Sequence, residues 1–176
     1  MIQYKTASSS EELHQILALQ RANLPISLSS EEKHQEGFLT VHHEFYILKR
    51  MNDVCPHIIA VDNNVLVGYT LCMHTKFGEE IEILKPMFNE TERLTTPFKT
   101  YVVMGQVCVA KKYRKQGVFR KLYTKMKETT FPEFDAIVTE VAATNMRSLE
   151  AHYAIGFKTL SKHRTNDRDW FLIYLM

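Results

Sequence analysis

One segment constrains the architecture more than any other. Gln106-Val107-Cys108-Val109-Ala110 has the character of a buried strand, Lys111-Lys112-Tyr113-Arg114-Lys115-Gln116-Gly117 is a basic loop ending in glycine, and Val118–Thr130 has the apolar spacing of a helix. A strand that feeds a helix through such a loop turns unpaired backbone N–H groups and the positive end of a helix dipole toward one point in space. That point suits an anion. Glycine at 117 permits a tight turn and a close approach of the backbone to phosphate oxygens. Arg114, Lys115, Arg120 and Lys121 add positive charge around the same place. The loop has neither the Gly-Lys-Ser/Thr ending of a P-loop nor the Gly-x-Gly-x-x-Gly spacing of a dinucleotide fold, so both nucleotide motifs are excluded.

A second strand and helix follow, Asp135-Ala136-Ile137-Val138-Thr139-Glu140-Val141 and then Asn145, Ser148, His152, Gly156 and Phe157. Together the two blocks resemble the core of the Gcn5-related N-acetyltransferase (GNAT) superfamily. The first resembles that family's acetyl-coenzyme A signature, Gln/Arg-x-x-Gly-x-Gly/Ala, through Arg114 and Gly117, with Phe119 in place of the last small residue. The second resembles Glu-Val-x-x-x-Asn-x-x-(Ser/Ala)-x-x-x-Tyr-x-x-x-Gly-Phe, with Glu140, Val141, Asn145, Ser148, Gly156 and Phe157 in register. His152 stands at the tyrosine position, and Tyr153 is one place beyond.

The resemblance implies an α/β (α+β) fold: a mixed, mostly antiparallel sheet of about seven strands flanked by four or more helices, as one acetyltransferase domain over 1–176. It implies transfer of an acetyl group from acetyl-coenzyme A to an amine of a small molecule, peptide or protein, by direct attack in a ternary complex. Cofactor contacts are expected at Val107, Cys108, Val109, Arg114, Lys115, Gln116, Gly117, Val118, Phe119, Arg120 and Asn145. Glu140 is the candidate base for the amine proton, although a carboxylate on an exposed edge explains it equally. His152, Tyr153 or water would protonate the leaving thiolate; residues one step apart on a helix differ by about 100° in direction, so the two side chains cannot face the cleft alike. Cys108, inside a strand with no basic neighbour in sequence, reads as a small buried hydrophobe. Gly156 is explained by helix closure alone.

Composition agrees with these expectations. With 45% hydrophobic and 24% charged residues the chain is an ordinary globular protein, long enough at 176 residues for a substantial core. A net charge of +2 is too small to argue for nucleic acid, so no nucleic-acid partner is expected, and the basic residues gather at 111–127. No apolar run approaches the ~20 residues of a membrane span, and the first residues form no signal peptide, so a cytoplasmic protein without a membrane partner is expected. Cysteines at 55, 72 and 108 form no ligand pattern, and the eight histidines contain no His-x-x-x-His, so no metal is expected. Homodimer formation is left open. Two other classes compete with the enzyme: a module that binds an acyl-coenzyme A without turnover, motivated by the missing tyrosine, and a small basic nucleic-acid binder.

The rest of the chain alternates in pattern. Ile2–Thr6 is a short strand, and Ser9 with Glu12 makes a capping box before a helix striped by Leu13, Ile16, Leu17 and Leu24. Ser29 with Glu32 repeats the signal before a helix over 31–50, striped by Phe38, Val41, Phe45 and Leu48. Strands at about 57–61 and 65–74 flank the turn Asp62-Asn63-Asn64. Segment 76–100 reads as a functional cover or a helical insertion. Strands near 157–163 and 170–175 close the chain. The acceptor is expected to meet 31–50 and 76–100, where His42, His43, Glu44, Glu79, Glu80 and Glu82 offer titratable groups that a solvated surface explains as well.

Overall fold

The computed structural model describes residues 1–24, 39, 42–165 and 167–176. Seven strands form one sheet: β1 (Gln3–Thr6), β2 (Ile58–Asp62), β3 (Val65–Met73), β4 (Tyr101–Val109), β5 (Ala136–Ala142), β6 (Lys158–Thr165) and β7 (Arg168–Leu175). Their order is β1-β2-β3-β4-β5-β7-β6. Every neighbouring pair is antiparallel except β4 and β5. Five helices are described: α1 (Ser10–Arg21), α2 (Phe45–Val54), α3 (Lys85–Arg93), α4 (Val118–Thr130) and α5 (Met146–Tyr153).

Local chemistry sets most element ends. Ser9 and Glu12 form the reciprocal capping box at the start of α1. Asn63 and Asn64 both adopt positive φ, 49° and 63°, the pair of left-handed residues that a two-residue hairpin turn needs to follow strand twist. After α5, Gly156 takes φ +106°, its N–H donates to Tyr153 O and the Phe157 N–H donates to His152 O, a Schellman closure. The Ser29–Glu32 cap and, of the helix expected over 31–50, residues 31–38, 40 and 41 lie outside the described residues; α2 begins at Phe45 and runs on to Val54. Segment 76–100 contains α3, with Pro86 in its first turn, so it is a helical insertion.

The pleat sorts apolar side chains onto two faces. On one, α1, α2 and α3 cover Tyr69, Leu71, Val103, Val138 and Leu172. On the other, α4 and α5 cover Val67, Val102, Ile137, Val141 and Ile173. Val138 therefore belongs to the α1–α3 face, and alternation puts Glu140, two residues on, on that same face.

Parallel pairing of β4 with β5 involves only Tyr101–Val103 and Ala136–Val138. Beyond it the strands part. The register of β4 against β3 slips at the same level, passing from Cys72↔Met104 to Leu71↔Gln106 and leaving Gly105 as a bulge. Just past the last pair the Thr139 hydroxyl donates to Met104 O at 2.8 Å. The remainder of β5 pairs with β7, so the outer edge of β4 from 105 to 109 faces an opening instead of a strand.

Candidate active site

The opening between β4 and β5 leads into a cleft of about 500 Å³. Its walls are the end of β4, the 110–117 loop, the first turn of α4 and one side of α5. Ala110 N–H donates to Val67 O of β3, so strand alternation turns the backbone groups of Val107 and Val109 the other way, toward the cleft. An edge of this kind accepts an extended amide-bearing chain as an added strand.

The loop is a single 3₁₀ turn at Lys111–Tyr113 followed by Lys115 at φ 60° and Gly117 at φ 80°. Gly117 caps α4 in the left-handed region, and a β-carbon built there would meet no protein atom within 4 Å. Glycine is thus required by backbone conformation, and the space beside it belongs to the cleft. The first intrahelical bond runs from Lys121 N–H to Gly117 O, which leaves the N–H groups of Val118, Phe119 and Arg120 free of helical partners at the cleft wall. Arg114 and Arg120 are both braced: Arg114 donates from Nε to Val109 O and from a terminal nitrogen to Asn23 Oδ1 of the α1 end, and Arg120 donates to Ala154 O. The cradle fits a polyphosphate, since its donors are backbone groups at a helix start and its cations are fixed.

Ten of the eleven cofactor positions expected from sequence line this cleft: Val107, Cys108, Val109, Arg114, Lys115, Gly117, Val118, Phe119, Arg120 and Asn145. Gln116 does not; its side-chain amide folds back onto Lys112 O at 2.6 Å. Asn145 occupies the N-cap position of α5 but makes no capping bond with its side chain, and it also borders a smaller cavity of about 70 Å³ where the strands part. Sequence reasoning missed the contributors Arg147, Ser148 and Ala151 of α5 and Ile155 just after it, although their 3–4 spacing continues one helical face. Asn23 and Leu39 reach the cleft from the α1 end and carried no sequence signal.

Cys108 is a buried thiol whose pKa burial drives up to about 12, so it carries no nucleophilic thiolate at neutral pH. Glu140 borders the smaller cavity with Gly105, Gln106 and Trp170. Burial first, and the negative charge of Glu90 second, raise its pKa to about 7. His163 Nε2 lies 2.7 Å from Glu140 Oε1.

His152 is 1% exposed and both of its ring nitrogens are engaged. Nδ1 is 2.7 Å from Ser148 O, an acceptor, so Nδ1 carries the proton; Nε2 then accepts from the Tyr123 hydroxyl at 2.7 Å. Phe119, Tyr123 and Phe157 pack around the ring edge-on. Burial lowers its pKa to about 4, which keeps the imidazole neutral. Tyr153 points elsewhere: it borders neither cavity, and its hydroxyl is 2.6 Å from Thr159 Oγ1. Of the sequence candidates for thiolate protonation, His152 borders the smaller cavity with Glu140 but as a neutral imidazole engaged on both nitrogens, and Tyr153 faces β6.

The titratable groups considered for the acceptor are also engaged. Glu80 is paired with Arg50, Glu82 with Lys85, and buried His43 with Gln20. Gln20 in turn donates to Gln106 Oε1, which also accepts from Tyr69, a buried network that fixes β4 at its bulge. Among the described residues there is no cluster of three or more metal-ligating side chains and no helix long and apolar enough to cross a membrane.

The sequence matches the acetyltransferase (GNAT) family over residues 13–157, and the chain belongs to that family. Acyl transfer from an acetyl-coenzyme A donor is the chemistry that membership carries. No curated protein matches the sequence. Solved structures are similar throughout their length. The crystal structure of the NatC complex bound to Gag peptide and CoA has a TM-score of 0.69 at 20% identity, covering 99% of this chain and 97% of that one. The ribosomal-protein-S18-alanine N-acetyltransferase of Escherichia coli has a TM-score of 0.66 at 11% identity, over 99% and 93%. The yncA protein of Salmonella typhimurium with its cofactor acetyl-CoA has 0.66 at 13%, over 99% and 93%. At these identities the likeness is one of fold.

Proposed function

We propose that the chain is an acetyl-coenzyme A-dependent N-acetyltransferase, a single catalytic domain that acetylates an amine by direct attack in a ternary complex. One observation carries this reading: β4 and β5 part, with the anion cradle lining the cleft and the buried Glu140 carboxylate bordering the adjoining smaller cavity. Acetyl-coenzyme A supplies an activated acyl group as a thioester. The chain's own residues bind and orient it. The N–H groups of Val118–Arg120, with Lys115 and the braced arginines, hold the pyrophosphate. The Val107 and Val109 edge pairs with the amide arm, and an N–H of that edge meets the charge that develops on the carbonyl oxygen.

An aliphatic amine with a pKa of ~10 is almost fully protonated at neutral pH and must lose a proton to attack. Glu140 is the group at the parted strands suited to take it, because a base with a pKa near the working pH is ionised often enough and still holds the proton. Cys108 forms no acyl intermediate. With His152 closed and Tyr153 turned away, water protonates the departing thiolate. The acceptor class is an amine of a small molecule or of a peptide; the NatC structure with Gag peptide and the Arabidopsis thaliana Naa50 structure with a CoA-Ac-MVNAL analogue make peptide amines the first to screen.

The test is release of coenzyme A thiol across an amine panel, with wild type and Glu140→Gln compared from pH 6 to 10. Loss of a general base lowers turnover by roughly 10²–10⁴ at neutral pH. Activity should partly return at high pH, where the amine deprotonates itself. Equal loss at every pH would remove Glu140 from the role. A second reading, an acyl-coenzyme A sensor without turnover, draws on the closed His152; it would show as stabilisation by coenzyme A, about 2.7 kcal/mol at ~100 times the dissociation constant, with no thiol release for any amine.

A further inference from the structure

The polar cluster around Glu140 is larger than acceptance of one proton requires. Glu140 of β5 and Ser161 of β6 both lie opposite Leu172 of β7, and His163 of β6 lies opposite Trp170, so the pleat directs all of these side chains to one face of the sheet. On that face α3 brings Glu90, whose carboxylate accepts from Ser161 Oγ and pairs with Arg93. The His163 and Glu140 side chains are only 12% and 10% exposed and stand 2.7 Å apart between Nε2 and Oε1. The approach is off the hydrogen-bond axis, and among the described residues neither Glu140 Oε1 nor either ring nitrogen of His163 has another hydrogen-bond partner.

A carboxylate oxygen and an unprotonated imidazole nitrogen are both acceptors, and at this distance they repel. The contact is stable only with a proton between them. Two buried groups that lack other partners have every reason to satisfy each other, and a small rotation of the ring aligns them. We infer that His163 is a positioning residue for Glu140: its imidazole is held as the Nε2–H tautomer, donates to Oε1, and so keeps the carboxylate ionised with its second oxygen available to the incoming amine. The inference rests on Glu140 being the proton acceptor of the proposed reaction.

The surrounding charges show why a donor is needed here. Glu90, from α3, is negative and opposes ionisation of Glu140, as does burial itself. Arg93 is mostly exposed and spends its guanidinium on Glu90. From the α5 side, His152 is neutral and turned into its own cage. Among the described residues, His163 is the side chain placed to supply Glu140 Oε1 with a proton. No bond to carbon is made or broken in this role; one proton is held between two atoms.

The experiment follows the Glu140 carboxyl carbon by NMR against pH in protein carrying ¹³C-glutamate, with the signal assigned by its disappearance in Glu140→Gln. In His163→Phe the titration midpoint should rise by about one pH unit or more, a tenfold change in proton affinity. His163→Gln, whose amide still donates, should stay close to wild type. An unchanged midpoint in folded His163→Phe, or an equal rise in both variants, overturns the inference. Because His163→Phe can fail to fold, the tautomer is also read in the wild type from the ring ¹⁵N shifts of His163. A neutral ring protonated on Nδ1 overturns the inference, and one protonated on Nε2 supports it. These readouts require no acceptor. Failure of Glu140 as a base would appear instead as unaltered thiol release in Glu140→Gln, so the two failures are distinguishable.

Discussion

Lowering the pH from 7 to 5 should destabilise this protein by about 4 kcal/mol, and three buried histidines are the reason. His152 accepts from Tyr123 and donates to Ser148 O; His57 accepts from the Cys72 N–H on Nδ1 and donates to Leu48 O; His43 accepts from Gln20. Burial, the leading cause in each case, lowers their folded pKa values from 6.5 to about 4, about 3 and about 4 respectively. Between 6.5 and about 4 the unfolded chain binds protons that the folded chain refuses, so stability falls as pH falls through that window. Each histidine contributes a loss of about 2 kcal/mol by pH 5. Glu140 acts in the opposite sense, since burial and Glu90 raise its folded pKa above the ordinary 4.5, toward about 7, and the folded state takes up the proton first; it returns about 1–2 kcal/mol over the same interval. The net loss is a large share of the roughly 5–15 kcal/mol that holds a domain together. Urea unfolding at pH 7 and pH 5 measures it directly. His152→Gln should reduce the difference between the two pH values by about 2 kcal/mol whatever it does to stability at pH 7. Equal stability at both pH values, or a full difference retained in that variant, would refute the assignment of these rings as buried and neutral.

Gly117→Ala should weaken coenzyme A binding about tenfold by titration calorimetry, because a side chain in the left-handed region costs roughly 1–2 kcal/mol and its β-carbon enters the cleft; unchanged affinity would mean that the loop does not hold the ligand. Cys108→Ala should retain thiol release in the amine assay while losing about 1 kcal/mol of stability from packing, and loss of turnover with stability intact would reopen a covalent route through the thiol.

Much of this molecule could be read from local pattern. The Ser9–Glu12 capping box, the Asn63-Asn64 turn and the Gly156 closure each arise from residues within a few positions of one another, and each stands where sequence put it. The same holds for the run from β4 through the loop to α4, whose N–H groups, charges and glycine are consecutive. Locality also made the α5 face recoverable in principle, since Asn145, Ser148 and Ala151 share one helical side. Where the signal concerned a single side chain in isolation it misled or stayed silent: the Gln116 amide folds onto Lys112, and His152, at a position that suggested an acid, is closed on both nitrogens.

The sequence by itself determined most of the strands and helices, the capping box of α1, the hairpin turn and the glycine-ended turn before α4, because hydrogen bonds along the chain and hydrophobic period depend only on near neighbours. Tertiary structure decided what each polar group does. The order β4-β5-β7-β6 brings Glu140 beside His163, twenty-three positions away, and α3 adds Glu90 from fifty positions upstream. Nothing in their spacing encodes that meeting. Burial then set the protonation of Glu140, His152 and Cys108, since the energy of a charge depends on the solvent and partners around it, and those are supplied by distant segments packing together.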